Sequence, residues 1–135
     1  MPEYRVHQIE DVLRNLHATI EGLQGSVVVS PDGFVVAAHL PSGNGRRRRA
    51  ANPADSPQVA AMAAAIIALS DKVLTQLARG SISRVLIDGS EGGIVVVPAG
   101  ADAALAVMVS HDAKLGLVML ALQRSAEQVR RILAR

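Results

Sequence analysis

The sequence predicts an α/β sandwich in which an antiparallel five-stranded sheet lies between helices. Three observations carry this: five strand-length segments rich in apolar and β-branched residues, turns short enough to force antiparallel pairing, and three longer segments whose apolar residues recur with a helical period. Their order is α-β-β-α-β-β-β-α. A chain of 135 residues that is 50% hydrophobic suits one domain spanning 1–135, with a core that needs no staples.

From about Val6 to Glu21, Ile9, Val12, Leu13, Leu16 and Ile20 fall at i, i+3, i+4, i+7 and i+11, the pattern of an amphipathic first helix. Gly22 and Gly25 offer the left-handed conformations that end it. Two strand-like runs follow, Ser26 to Ser30 and Phe34 to Leu40, divided by Pro31-Asp32-Gly33. Proline presets the φ of a type I turn and glycine takes the next, positive-φ position, so these runs form a β-hairpin.

Residues 41–55, PSGNGRRRRAANPAD, show no periodicity and are dense in breakers, which predicts a long, mobile, basic loop. The second helix runs from Pro57 to Arg79, with Ser56 as N-cap and Gly80 just past its end. Its apolar residues do not keep to one stripe, and a helix apolar on more than one face needs cover on more than one face. The continuous apolar run, Val59 to Leu69, is too short and too alanine-rich for a bilayer. The cover is therefore protein: a sheet on one side and a second subunit on the other, with Val59, Met62, Ala63, Ile66, Ile67, Val73 and Leu74 as the candidate dimer interface.

Three strand-like runs come next, Ser83 to Asp88, Gly93 to Pro98 and Ala103 to Ser110, joined by four-residue turns into a meander. Leu115, Val118, Leu122, Ala126, Val129 and Leu133 then return to helical phase, and Asp112 is placed as the N-cap of this last helix. The strands are mostly apolar on both faces, as in a sheet covered by helices on both sides.

With these elements in place, the chain resembles the Roadblock (dynein light chain) family in its bacterial small-GTPase-regulator branch, over nearly its whole length, Tyr4 to Leu133. The most specific features are Gly22-Leu23-Gln24-Gly25-Ser26-Val27-Val28-Val29 after the first helix, Asp32-Gly33 followed by Phe34-Val35-Val36-Ala37-Ala38, and Asp112-Ala113-Lys114-Leu115-Gly116 opening the last helix. The resemblance implies strand order 2-1-5-4-3, with helix 2 on one face and helices 1 and 3 on the other. It also implies homodimers, with higher assembly open, in which central helices pack together and third strands align, and a Ras-like small GTPase as partner. The long arginine-rich loop departs from the family pattern, so no role is carried over to it.

Composition narrows the function classes. Four of the fourteen basic residues are Arg46, Arg47, Arg48 and Arg49; the other ten face twelve acidic residues, so the basicity belongs to one loop and not to the domain. With one tyrosine, one phenylalanine and no tryptophan there is no material for a base-stacking platform. The absence of cysteine excludes disulfides and thiolate metal sites, and with no signal-like amino terminus it points to the cytoplasm. Ser110-His111-Asp112 holds the residue types of a hydrolytic triad, but sequence neighbours cannot hydrogen-bond in series, and a polar turn is the better account. His7, His17, His39 and His111 lack metal-ligand spacing. Gly89 to Gly93 lies between strands and lacks the lysine and following helix of a phosphate loop.

The expected protein is therefore not an enzyme and holds no cofactor or metal. It is a homodimeric regulator that binds a Ras-like GTPase, with Asp71, Lys72, Gln76 and Arg79 as the polar marks a partner meets on the central helix. The alternative is an adaptor that uses Arg46 to Arg49 on nucleic acid or an anionic membrane; a solvated loop is the preferred account of those arginines.

Overall fold

The computed structural model describes residues 3–39 and 57–134. Its elements are α1 (Glu3–Thr19), β1 (Leu23–Val29), β2 (Val35–His39), α2 (Pro57–Gln76), β3 (Val85–Gly89), β4 (Gly92–Pro98), β5 (Ala104–Val109) and α3 (Leu115–Ala134). All strand pairs are antiparallel and the sheet order is β2-β1-β5-β4-β3. The expected architecture and strand order are both present.

Alternation along the strands sorts side chains to the two faces. On one face Val28, Val95, Val97, Leu105, Val107 and Val109 meet Ile9, Leu13 and Leu16 of α1 and Val118, Leu122 and Val129 of α3. On the other, Val27, Val29, Val96, Ala104 and Ala106 meet Ala60 and Ala63 of α2, with Ala64 and Ile67 packed against them. The α2 side is built from smaller residues, which lets that helix sit close to the strands.

The β1–β2 turn forms as the sequence dictates. The Gly33 amide donates to the Ser30 carbonyl at 2.9 Å and Gly33 takes φ +88°. Pairing then shifts register between Val28 and Val29. A Cβ at Gly33 would lie 3.0 Å from the Ala61 Cα, so the turn packs on the backbone of α2.

Several boundaries differ from the sequence reading for identifiable reasons. Gly25 does not end α1; it is buried inside β1, where pairing with β5 shifts register, and Gly22 alone takes a positive φ, +93°. Asp112 is not the N-cap of α3. Its carboxylate accepts the Ser110 hydroxyl at 2.7 Å, and the helix opens two residues later, the Lys114 carbonyl accepting from the Val118 amide at 3.0 Å. α2 stops at Gln76 and not Arg79: the Arg79 amide donates to Leu74 at 2.8 Å, the Ala78 amide to Thr75 at 3.1 Å, and Ala78 takes φ +54°. That bond pair is a Schellman ending with alanine where glycine is usual. The expectation of a sheet covered on both sides fails at β3, where Leu86 and Ile87, side by side and so facing opposite ways, are both exposed. The loop 41–55, including Arg46 to Arg49, and the N-cap Ser56 lie outside the described residues.

Candidate interaction surface

Helix α2 has two unlike sides. Ala60 and Ala63 are buried on the sheet. Met62, Leu69, Val73 and Leu77 are 49–64% exposed, and with half-buried Ile66 they follow one another at i, i+4, i+7, i+11 and i+15. That spacing makes one continuous row along the helix. Such a row on a water-facing helix exceeds the scattered apolar exposure of an ordinary surface. By length and composition alone Gln58–Gln76 could cross a membrane, but the packing of Ala60 and Ala63 on β1, β4 and β5 makes it a layer of this domain.

The structure separates the residues assigned to a dimer interface. Met62 and Val73 are exposed in the outward row, Ile66 is half-buried within it, and Val59 and Leu74 are half-buried. Ala63 is buried in the core under the sheet and half-buried Ile67 packs against that core, so both are corrected to the sheet-facing side of α2. Leu69 and Leu77 belong to the outward row in their place; on β3, exposed Ile87 shares the α2 face of the sheet and exposed Leu86 the opposite face. A single sequence gives periodicity without the direction of the sheet, and only the fold shows which side of an all-round apolar helix is covered.

The polar residues of α2 also divide. Asp71 is half-buried and its Oδ1 accepts the Ile82 amide at 3.3 Å, tying the helix to the segment that leads into β3. Lys72, Gln76 and Arg79 are exposed. No described element brings a catalytic set together. Ser110 is committed to Asp112, whose carboxyl that hydrogen bond holds below the usual range, and His111 is exposed. Among the described residues no three His, Cys, Asp or Glu side chains group as metal ligands. His17 and His39 meet under α1, beside buried Ser26, an arrangement their separation in sequence did not reveal.

The sheet order and the placement of one helix against two define a known class of domain. The model of the Roadblock/LC7 domain matches residues 9–109, and the chain belongs to that family. The Methanocaldococcus jannaschii protein MJ1340, described as uncharacterized, is 31% identical over 122 residues, spanning 90% of this chain and 96% of its own. Among solved structures, MglB in a tetrameric arrangement superposes with TM-score 0.84 at 22% identity, covering 98% of this chain and 92% of that one. The gliding protein MglB of Thermus thermophilus gives TM-score 0.83 at 21% identity, covering 98% and 93%. At these identities the structural likeness speaks for the fold.

Proposed function

We propose that the protein is a cytoplasmic, non-enzymatic homodimer that binds a Ras-like small GTPase and modulates its nucleotide cycle. The observation that carries the dimer is the outward row Met62, Ile66, Leu69, Val73 and Leu77, an apolar face as long as the helix that no described residue covers. Pairing two such rows buries what one copy exposes, and the bare edge of β3 offers strand pairing beside it. The GTPase comes from the family resemblance, to which the likeness to MglB lends support through the fold. A platform of this kind acts on hydrolysis by ordering the GTPase's own switch loops, which requires no inserted arginine.

Sedimentation equilibrium reads the dimer. Calorimetry with the GTPase loaded with GDP or a non-hydrolysable GTP analogue reads the partner. Preference for the GTP form is expected, because switch loops ordered by the γ-phosphate present a fixed surface; equal affinity for both forms, or none, contradicts the regulator reading. The adaptor reading rests on Arg46 to Arg49, and a salt titration separates the two. Binding through four arginines falls steeply with ionic strength, whereas binding through an apolar helix pair does not.

A further inference from the structure

The fold brings together two histidines from different elements. His17 lies in the last turn of α1 and His39 ends β2, and their ring centroids are 4.5 Å apart with the planes tilted by 57°. Both side chains are half-buried, so the pair is sheltered without being sealed from solvent. Two imidazoles that share one metal ion in neighbouring positions have this separation. With a metal–nitrogen bond of about 2.1 Å each ring centroid lies about 3.2 Å from the metal, and a bond angle of about 90–109° sets the centroids about 4.5–5.2 Å apart.

Ser26 completes the arrangement. Its side chain is fully buried in β1, and its hydroxyl oxygen lies 2.9 Å from His17 Nε2. When Nε2 carries the proton and donates to that oxygen, Nδ1 holds the lone pair, which is how an outer group fixes the tautomer and ring direction of a metal-binding histidine. Burial lowers the pKa of both histidines, so both rings are neutral and able to bind metal near pH 7. Arg14, whose charge acts on His39, is paired with Asp11, which offsets it. Donor chemistry then selects the ion. Two neutral nitrogens without a carboxylate suit copper(II), nickel(II) or zinc(II) and offer nothing to calcium or magnesium, which take oxygen. Among the described residues no third His, Asp or Glu joins the pair, so water fills the remaining positions and the ion exchanges, unlike one in a closed structural centre.

We propose that His17 and His39 form a two-histidine site for a divalent transition-metal ion, copper(II) or zinc(II), that clips the end of α1 to edge strand β2. The ion binds the folded chain in preference to the unfolded one, which does not hold the two rings together, and so it stabilises the α1–β2 contact. The site lies on the α1 side of the sheet, away from the α2 row, and depends on neither the dimer nor the GTPase.

The test uses the full chain, stripped with a chelator, and the ions themselves. Calorimetric titration with zinc(II) or copper(II) is expected to show one ion per chain, and zinc(II) to raise the melting temperature where magnesium and calcium do not. The electron paramagnetic resonance spectrum of the copper(II) complex is expected to carry the hyperfine pattern of two nitrogen ligands. His17→Gln and His39→Gln should each weaken binding at least about tenfold and leave a one-nitrogen copper spectrum, with circular dichroism unchanged. His7→Gln and His111→Gln, at exposed rings, should leave the affinity as it was. Absence of saturable binding, equal binding of magnesium, or unchanged affinity in both His17→Gln and His39→Gln overturns the proposal. A copper spectrum of the natural chain with fewer than two nitrogens overturns it without any variant, which holds even where His17→Gln fails to fold. Binding that disappears with His7→Gln or His111→Gln reassigns the ion to an exposed ring, with the same consequence.

Discussion

The imidazole rings of His17 and His39 lie with centroids 4.5 Å apart and planes tilted by 57°, and His17 Nε2 sits 2.9 Å from the Ser26 hydroxyl. Ser26 and His39 face each other across β1 and β2, so the cluster fastens α1 to the sheet at its edge strand. Burial, and then the neighbouring His39, lower the His17 pKa from 6.5 to about 4; burial, and then Arg14, lower that of His39. The unfolded chain therefore binds protons between about pH 6.5 and 4 that the folded chain refuses. Stability is complete above pH 6.5 and is lost as pH falls toward 4, by on the order of 1 kcal/mol once solvent screening of a half-exposed pair is allowed for. Melting temperature measured across this window should fall more steeply for the natural chain than for His17→Gln, since both share the titrating carboxylates. Equal slopes would show that the pair does not carry the effect.

Ala78→Gly should stabilise the protein. Ala78 holds φ +54° at the Schellman position after α2 and is exposed, so glycine removes left-handed strain without opening a cavity. A gain of about 1 kcal/mol is expected, seen as a rise in the denaturation midpoint at unchanged slope. A loss of stability would mean that the methyl group contributes more than the strain costs.

Gly33→Ala should do the opposite. The new Cβ lies 3.0 Å from the Ala61 Cα and 3.3 Å from its Cβ, at a φ of +88°. Strain and the forced retreat of the turn from α2 together cost about 2 kcal/mol or more. Chemical denaturation gives the number, and a neutral result would show that the turn moves off α2 at little cost.

The turn at Gly33 was legible in the sequence because Pro31-Asp32-Gly33 is local chemistry, and so were all eight elements, whose periods of two and 3.6 are written into the chain. Ends set by tertiary contact were not. Ala78 terminates α2 although Gly80 carries the usual glycine signal, and Asp112 answers Ser110 instead of capping α3. The interaction surface was half legible. Met62 and Val73 belong to the outward row, but Ile66 and Ile67, adjacent and chemically identical, part company because the sheet lies under Ile67. Leu86 and Ile87 escaped notice because an apolar strand reads as a covered one.

That difference yields a paired test on α2. Ile67→Asp places a carboxylate among Val27, Val29 and Val96 and should cost several kcal/mol or abolish folding. Leu69→Asp, at a side chain 64% exposed, should leave the circular dichroism spectrum intact and shift sedimented mass from dimer to monomer. A Leu69→Asp protein that remains dimeric would place the contact elsewhere.

Charge reversal at the carboxyl-terminal end of α2 tests the partner reading. Lys72 and Arg79 are exposed beside a row of apolar side chains and form no ion pair among the described residues, so Lys72→Glu and Arg79→Glu disturb nothing that holds the fold. Asp71 differs, since it accepts the Ile82 amide and its replacement would confound binding with the loosening of the α2–β3 connection. Rim charges orient an encounter and set its rate more than they hold the complex. The double reversal is therefore expected to slow association with a GTP-loaded Ras-like protein about tenfold, to leave dissociation nearly unchanged, and to flatten the salt dependence of the on-rate. Stopped-flow binding with dimer mass as control distinguishes the cases. An unchanged on-rate with intact binding would move the GTPase contact away from this end of α2, and a loss of dimer would show that these charges serve self-association.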